Sequence, residues 1–374
     1  MSLPDMVSQR AGLMTASGKV YVIAEAGVNH NGSLEMARRL IAVAAESGAD
    51  AVKFQTFRAD KLVSSSAPKA EYQTRRTDVA ESQFDMLRKL ELDEADHLVL
   101  IDQARACGID FLSTPFDEVS VDLLVCRFNL PLIKISSGEI TNAPLVLKIA
   151  RTGRPVILST GMSSLGEVED ALGVLAFGYL HPDNPPSEAA FRTAYAGADG
   201  QSVLHERVTL LHCTTEYPAP FNEVNLRAME TLAAAFGLPV GYSDHTTGIA
   251  IPIAATARGA RIIEKHFTLD RNLPGPDHRA SLEPEELKQM VTAIRQVEQA
   301  LGTPLKSPTA SEVKNMAVAR KSLVAAGEIK AGEEFTPENL AIKRPGGGIS
   351  PLRYWELLGR KAVRDFAADE VIEL

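Results

Sequence analysis

Short runs of apolar and β-branched residues recur eight times along the chain, and segments with helical spacing lie between them. Each run has the length of one β-strand: YVIAEAG (21–27), AVKFQTF (51–57), DFLSTPF (110–116), LIKISSGE (132–139), PVILSTG (155–161), VTLLHCT (208–214), VGYSDHT (240–246) and IIEKHFT (262–268). Strict alternation of strands and helices predicts parallel strands that are joined by crossover helices.

The helical segments carry an apolar stripe on one face. In 34–44 the stripe follows the i, i+3, i+4 rule, and Ser33 is in position to cap the helix; 287–301 shows the same spacing. Eight repeats over about 250 residues predict an α/β fold, a closed (β/α)8 TIM barrel. An open doubly wound sheet is the alternative, but its usual Gly-rich phosphate turn is not found in GVNHNG after the first run.

Two insertions interrupt the rhythm. Residues 58–94 separate the second strand from its helix and include SSSAPKAEYQTRRTD. Because the loops that follow barrel strands build the active site, we expect this insertion to be a lid or substrate loop. Residues 178–206 follow a helical stretch instead, which predicts a surface elaboration on the opposite face.

Composition divides the chain into four parts. We expect a leader over 1–19, a barrel domain over 20–300, a linker rich in Pro, Ser and Thr over 301–318, and a turn-rich domain over 319–374. The leader contains no apolar stretch of signal-peptide length.

Charge and cysteine content limit the partners and the compartment. The net charge is −9 and there is no basic run, so neither nucleic acid nor a membrane is an expected partner. No segment approaches the ~20 apolar residues of a membrane span. The three cysteines are scattered without a CxxC pair, which favours a reducing, cytoplasmic location.

The most informative polar residues are two histidines at equivalent strand ends. His245 and His266 are 21 residues apart, about one strand plus one helix, so their side chains should project into the same barrel mouth. Neutral imidazole is the commonest protein ligand of transition metals, which predicts a metal centre. Taken singly, each histidine is equally well explained as a hydrogen-bonded strand-end residue.

Lysines inside apolar strands are the second unusual feature. Lys53 (AVKFQ) and Lys134 (LIKIS) would each be buried at a cost on the order of several kcal/mol unless they were paired. They either bind an anionic phosphate or carboxylate, or form structural ion pairs that close the barrel mouth. Glu25 and Glu139 are the candidate partners, or general acid and base groups. A carboxylate among lysines should stay ionised, which favours a base.

Together the motifs resemble a known family. The segments IAEAGVNHNGS, AVKFQTF, FLSTPFD, KISSGE, ILSTGM, HCTTEYPAP, GYSDHT, EKHFTLD and GPDHRAS are similar to those of sialic acid (N-acetylneuraminate) synthases and of the related legionaminate and pseudaminate synthases. The C-terminal ARKSLVAAGEIKAGE and IKRPGGGISP resemble the antifreeze-like (SAF, β-clip type) domain of these enzymes. The resemblance covers residues 20–374 in unbroken order.

This resemblance implies a metal-dependent transferase reaction that forms a carbon–carbon bond. Phosphoenolpyruvate would condense with an N-acylated mannosamine-type sugar and water, giving a nine-carbon 2-keto acid and phosphate with cleavage of a C–O bond. N-acetylneuraminate synthase, which uses N-acetylmannosamine, is the expected activity. A legionaminate or pseudaminate synthase that uses a di-N-acetylated deoxy-hexose is the alternative.

The resemblance also implies residue roles. His245 and His266 would bind a divalent ion, Mn²⁺ being expected and Mg²⁺ or Co²⁺ the alternatives. Glu25 and Glu139 would orient or activate water and sugar. The implied substrate contacts comprise Lys53, Lys134, Ser137 and Ser159 for phosphoenolpyruvate, Gln55 and Thr114 beside it, and Tyr217, Ser243 and Asp244 for the sugar. Arg344 of KRPGGG would enter the barrel of a partner subunit, which requires a domain-swapped homodimer.

One departure from the family leaves the sugar open. Some sialic acid synthases have Asn two residues before the tyrosine, where this chain has Thr215. An amide and a hydroxyl offer different hydrogen bonds, and such differences affect selectivity. Two other hypotheses remain: a non-catalytic carbohydrate- or ice-binding protein, and another barrel enzyme such as a metal-dependent aldolase or a different phosphoenolpyruvate-condensing enzyme.

Overall fold

The barrel predicted from the sequence is present. The computed structural model describes residues 19–64, 67–69 and 82–374. Eight parallel strands follow the order β3-β2-β1-β8-β7-β6-β5-β4, and β3 also lies beside β4, so the sheet is a nearly closed TIM barrel. The strands are β1 Tyr21–Gly27, β2 Ala51–Thr56, β3 Asp110–Pro115, β4 Ile133–Ile135, β5 Val156–Ser159, β6 Val208–Cys213, β7 Val240–Asp244 and β8 Ile262–His266.

Helices cover the outer face of the strands. The first compact unit ends at Gly302. The α-helices among its described residues are Leu34–Glu46, Ala59–Leu62, Gln83–Arg88, Glu94–Cys107, Glu118–Asp122, Ala143–Arg151, Leu165–Leu180, Glu188–Ala196, Ala198–Arg207, Ala228–Phe236, Ala250–Ala257 and Pro284–Leu301. Apolar residues that point outward from the strands pack against these helices and form the larger core. No helix in the described ranges is long and apolar enough to cross a membrane.

Side-chain alternation along the strands separates this outer core from the barrel interior. One layer of inward-facing apolar residues closes the interior: Ile23, Ala51, Leu112, Leu132, Ile157, Leu211 and Ile262. Two residues further along the chain, the inward position is polar in every case except after Leu211, where it is Cys213. The barrel is therefore a filled core with a polar layer at the carboxyl ends of its strands.

Local capping explains where the predicted helices begin. Ser33 Oγ accepts a hydrogen bond from the Met36 N–H, as expected of an N-cap. The helix predicted over 287–301 begins earlier, at Pro284, because proline is favoured in the first turn and Glu283 forms a capping box with Glu286.

The two insertions differ in structure. Residues 178–206 include the end of helix Leu165–Leu180, helix Glu188–Ala196 and all but the last residue of helix Ala198–Arg207. The two later helices pack against Leu165–Leu180. The 58–94 insertion has helices Ala59–Leu62 and Gln83–Arg88. Most of its SSSAPKAEYQTRRTD stretch lies outside the described residues, so the lid remains a prediction.

The second compact unit comprises Thr303–Leu374. Strands β9 (Ser322–Ala325) and β10 (Leu340–Lys343) pair antiparallel around a small core of nine buried residues: Leu323, Ala325, Ile329, Phe335, Leu340, Leu357, Ala362, Phe366 and Ile372. The linker predicted over 301–318 is not entirely extended, because it contains most of helix Ala310–Ala319. A capping box between Thr309 and Glu312 starts this helix.

Candidate active site

A cavity of about 310 Å³ opens at the carboxyl ends of the barrel strands, and all eight strands contribute to it. This is the face on which TIM-barrel enzymes build their active sites. Eleven of the residues predicted from the sequence line it: Glu25, Lys53, Gln55, Thr114, Lys134, Ser137, Ser159, Tyr217, Ser243, His245 and His266.

A buried network of lysines and glutamates occupies the base of the cavity. Lys53 Nζ lies 2.7 Å from Glu25 Oε2 and 3.6 Å from Glu264 Oε2. Lys134 Nζ lies 3.6 Å from Glu264 Oε1, which also accepts a 2.8 Å hydrogen bond from Ser243 Oγ. Of the two candidate partners, Glu25 is the one that lies within ion-pair distance of a lysine. The carboxylate nearest Lys134, however, belongs to Glu264 across the barrel and not to Glu139.

The two carboxyl groups of the network have opposite pKa shifts. Burial raises the pKa of Glu25 to about 7, although the neighbouring Lys53 opposes the change. Burial acts on Glu264 in the same sense, but Lys134 and Lys53 outweigh it and lower the pKa of Glu264 to about 2. The expectation that Glu25 stays ionised among the lysines is therefore not met, because its pKa lies near neutrality and the group can exchange a proton there. The carboxylate that stays ionised is that of Glu264, for which the sequence predicted no role.

Hydroxyl groups with unused hydrogen-bonding capacity surround this network. Thr114 Oγ1 accepts a 3.0 Å hydrogen bond from Lys53 Nζ. The buried Oγ atoms of Ser136 and Ser159 have no hydrogen-bond partner within the described part of the chain. Buried polar atoms are normally satisfied, so these hydroxyls are available to a polar ligand.

The two histidines and a tyrosine lie above the network. The rings of His245 and His266 are 5.5 Å apart between centroids, and the Tyr217 ring lies 4.2 Å from His245. His245 Nδ1 is 2.6 Å from the Thr214 carbonyl, to which it donates, so that Nε2 keeps its lone pair. Burial lowers the pKa of both imidazoles and favours their neutral form.

This donor set fits a divalent ion. Neutral imidazoles are good metal ligands, and a backbone carbonyl that fixes the other ring nitrogen is a common supporting contact. The buried Nδ1 of His266 has no hydrogen-bond partner among the residues described. No group of three or more His, Cys, Asp and Glu side chains in the described ranges is arranged to hold a metal.

Three predicted residues do not line the cavity. Asp244 points outward and its buried carboxylate pairs with Lys265 at 2.6 Å, so its predicted contact with the sugar is not supported by this geometry. Glu139 is half-buried and accepts a 2.7 Å hydrogen bond from Asn142 Nδ2. Burial raises the pKa of Glu139. Arg344 belongs to the second unit and is exposed.

Other cavity residues were not assigned a role from the sequence. One of them is Glu264, although its spacing of two from His266 along the same strand places both side chains on the inner face. Cys213 also lines the cavity, for the same reason of alternation along β6. The 58–94 insertion adds an apolar wall that no sequence signal identified: Leu62, Val63, Met86, Leu87 and Leu90.

The chain is similar to known proteins over nearly its whole length. The chain is 54% identical over 354 residues to the N,N'-diacetyllegionaminic acid synthase of Campylobacter jejuni, covering 95% of this chain and 99% of that protein. It is 44% identical to the synthase of the same name from Legionella pneumophila, covering 93% and 92%. Among solved structures, an N-acetylneuraminic acid (sialic acid) synthetase from Leptospira borgpetersenii in complex with citrate matches with a TM-score of 0.63 and 33% identity, covering 80% of this chain and 90% of that one.

Family models match both units. The model of the NeuB family matches residues 40–306, and the model of the SAF domain matches residues 320–374. The chain therefore belongs to the NeuB family and ends in a SAF domain.

Proposed function

We propose that this chain is a nonulosonic acid synthase that condenses phosphoenolpyruvate with a di-N-acetylated deoxy-hexose, and that its product is N,N'-diacetyllegionaminate. The sequence motifs led us to expect N-acetylneuraminate first. The relatives at 54% and 44% identity are both named N,N'-diacetyllegionaminic acid synthase, whereas the human N-acetylneuraminate-9-phosphate synthase is 34% identical. Identity therefore favours the alternative.

The observation that carries the proposal is the incompletely neutralised pair of lysines at the base of the cavity. Lys134 lies 3.6 Å from its nearest carboxylate, and Glu25, with its raised pKa, only partly balances the charge of Lys53. A ligand with a phosphate and a carboxylate would supply the missing negative charge. Ser159 Oγ, for which no described residue is a hydrogen-bond partner, is a suitable donor to the same ligand.

Glu25 is the best-placed group for proton transfer. In the proposed reaction, C3 of phosphoenolpyruvate forms a bond to the aldehyde carbon, and the aldehyde oxygen takes up a proton to become a hydroxyl. Water adds at C2, and phosphate leaves with its bridging oxygen as the C2 carbonyl forms, so that the two protons of the water end on the new hydroxyl and on the phosphate. Water that adds at C2 must lose a proton, and Glu25, whose pKa is raised to about 7, can accept it near neutral pH. A divalent ion bound at His245 and His266 would polarise the aldehyde oxygen.

The apolar wall of the cavity supports the choice of sugar. Leu62, Val63 and Met86 come from the 58–94 insertion and line the cavity together with the polar strand ends. An N-acetyl methyl group and a deoxygenated carbon are apolar and would lose little hydration against such a wall. Tyr217 and Thr215 also line the cavity, and their hydroxyl groups are of a type that suits the polar atoms of the sugar.

We also propose that Arg344 completes the site of a partner subunit in a domain-swapped homodimer. Its guanidinium is exposed and suits planar contact with a carboxylate or acyl oxygen. Mixing Arg344→Ala chains with His245→Ala chains should restore activity on subunit exchange, because each heterodimer has one complete site. Exchange that is confirmed by mass but restores no activity would contradict delivery in trans.

The reaction class can be tested with phosphoenolpyruvate that carries ¹⁸O in its bridging position. With the di-N-acetylated sugar, the enzyme should release one phosphate per nonulosonic acid formed, and the label should be found in that phosphate. Label retained in the organic product, or turnover of pyruvate without release of phosphate, would indicate aldolase chemistry or P–O cleavage instead.

A further inference from the structure

We propose that the buried ion pair of Asp244 and Lys265 is a positioning device that fixes the two candidate metal-binding histidines relative to each other. Both side chains are fully buried on the outer face of β7 and β8, and Lys265 Nζ lies 2.6 Å from Asp244 Oδ2. Each residue is the chain neighbour of one histidine, His245 or His266. The inference rests on the function proposed above.

Strand register explains why this pair can control the site. Asp244 and Lys265 are direct partners in the parallel ladder of β7 and β8. Because successive side chains alternate between the two faces of a strand, His245 and His266 point inward from the next positions. A bond between the outward partners therefore holds the two inward rings at a constant separation, here 5.5 Å between centroids.

The pair also fixes the turn that follows His245. Asp244 Oδ1 accepts a 3.1 Å hydrogen bond from the Thr246 N–H, and Asp244 Oδ2 accepts another from Thr246 Oγ1. Lys265 Nζ donates to the Thr246 carbonyl. The backbone on both sides of His245 is thus tied to β8 through a fully buried network.

Stability alone is a poor explanation for this arrangement. Removing two opposite charges from water has a large desolvation cost, and apolar replacements of buried ion pairs are often neutral or stabilising. The ion pair has directional bonds that an apolar contact lacks. Contacts behind metal ligands commonly change metal affinity by about 10- to 100-fold.

The test is the Asp244→Asn/Lys265→Met double variant, in which side-chain size is retained and the Thr246 N–H still has an acceptor. In the folded variant, the Kd for Mn²⁺ measured by calorimetry should rise at least about tenfold. The KM for phosphoenolpyruvate at saturating Mn²⁺ should change less than about threefold, because Lys53 and Lys134 are undisturbed. An Arg258→Gln/Glu230→Gln variant, which removes a partly exposed ion pair, serves as the matched control and should bind Mn²⁺ like the wild type.

A Kd within twofold of the wild type in the folded double variant would overturn the inference. His245→Ala, measured in parallel, distinguishes failure of the metal site from failure of the positioning role. If His245→Ala weakens Mn²⁺ binding and the double variant does not, only the positioning role of Asp244 and Lys265 is wrong. If neither change weakens binding, the metal site itself is wrong and the inference fails with it. Should the double variant not fold, Thr246→Val removes only the hydroxyl bond to Asp244; Mn²⁺ binding should then weaken severalfold, and unchanged binding would again contradict the proposal.

Discussion

Replacing either His245 or His266 with alanine should lower kcat by more than about 100-fold and weaken Mn²⁺ binding, while the protein remains folded. Among the described residues, two imidazoles line the cavity, so the loss of one leaves a single imidazole donor. Calorimetry with Mn²⁺ and a phosphate-release assay measure the two effects, and removal of the ion with a chelator should abolish wild-type activity.

The matched control for this prediction is His205→Ala. This histidine is exposed on helix Ala198–Arg207, far along the chain from either strand end. It should bind Mn²⁺ and turn over substrate like the wild type. Full activity of His245→Ala or His266→Ala in chelator-treated buffer would refute the metal site.

The second large effect is expected on the binding of phosphoenolpyruvate by the two buried lysines. Changing Lys134 to methionine should raise the KM for phosphoenolpyruvate about 10- to 100-fold, because a charge-assisted hydrogen bond contributes about 1.5–3 kcal/mol. The KM for the sugar should change little. Lys53→Met should act in the same direction but also destabilise the protein, because it leaves Glu25 without its 2.7 Å partner.

Lys148→Met is a suitable control for the lysine variants. Lys148 is partly exposed on helix Ala143–Arg151 and pairs with Asp122 at 2.7 Å, outside the cavity lining. Its removal should change neither KM. If Lys134→Met raised both Michaelis constants equally, the lysines would be structural ion-pair residues and not an anion site.

The fold could be predicted because the barrel repeats a single sequence signal. Each strand is a short apolar run, and the helix caps follow local rules, as at Ser33. The helix Ala310–Ala319 was hidden because the Pro, Ser and Thr around it are typical of linkers, although Thr309 and Glu312 form its capping box. The average composition of residues 301–318 does not reveal a capping box, because that motif depends only on the residues at positions 309 and 312.

The sequence predicts which strand ends form the site, but it predicts less well which side chains point into the barrel. Asp244 follows Ser243 directly, so it must point away from the cavity into which Ser243 projects. Closeness in sequence also gave the wrong partner for Lys134. Glu139 is five residues away on the turn after β4, but the carboxylate nearest Lys134 belongs to Glu264 on β8. Neither the raised pKa of Glu25 nor the apolar wall of the cavity could be predicted from the sequence, because both depend on which residues are brought together by the fold.

The most direct test of the account is a comparison of kcat/KM for two sugars with the same enzyme and saturating phosphoenolpyruvate. The di-N-acetylated deoxy-hexose should be preferred over N-acetylmannosamine by at least about tenfold, which corresponds to about 1.4 kcal/mol of differential transition-state stabilisation and is within reach of one well-filled apolar contact. Equal use of the two sugars, or a preference for N-acetylmannosamine, would contradict the proposed substrate.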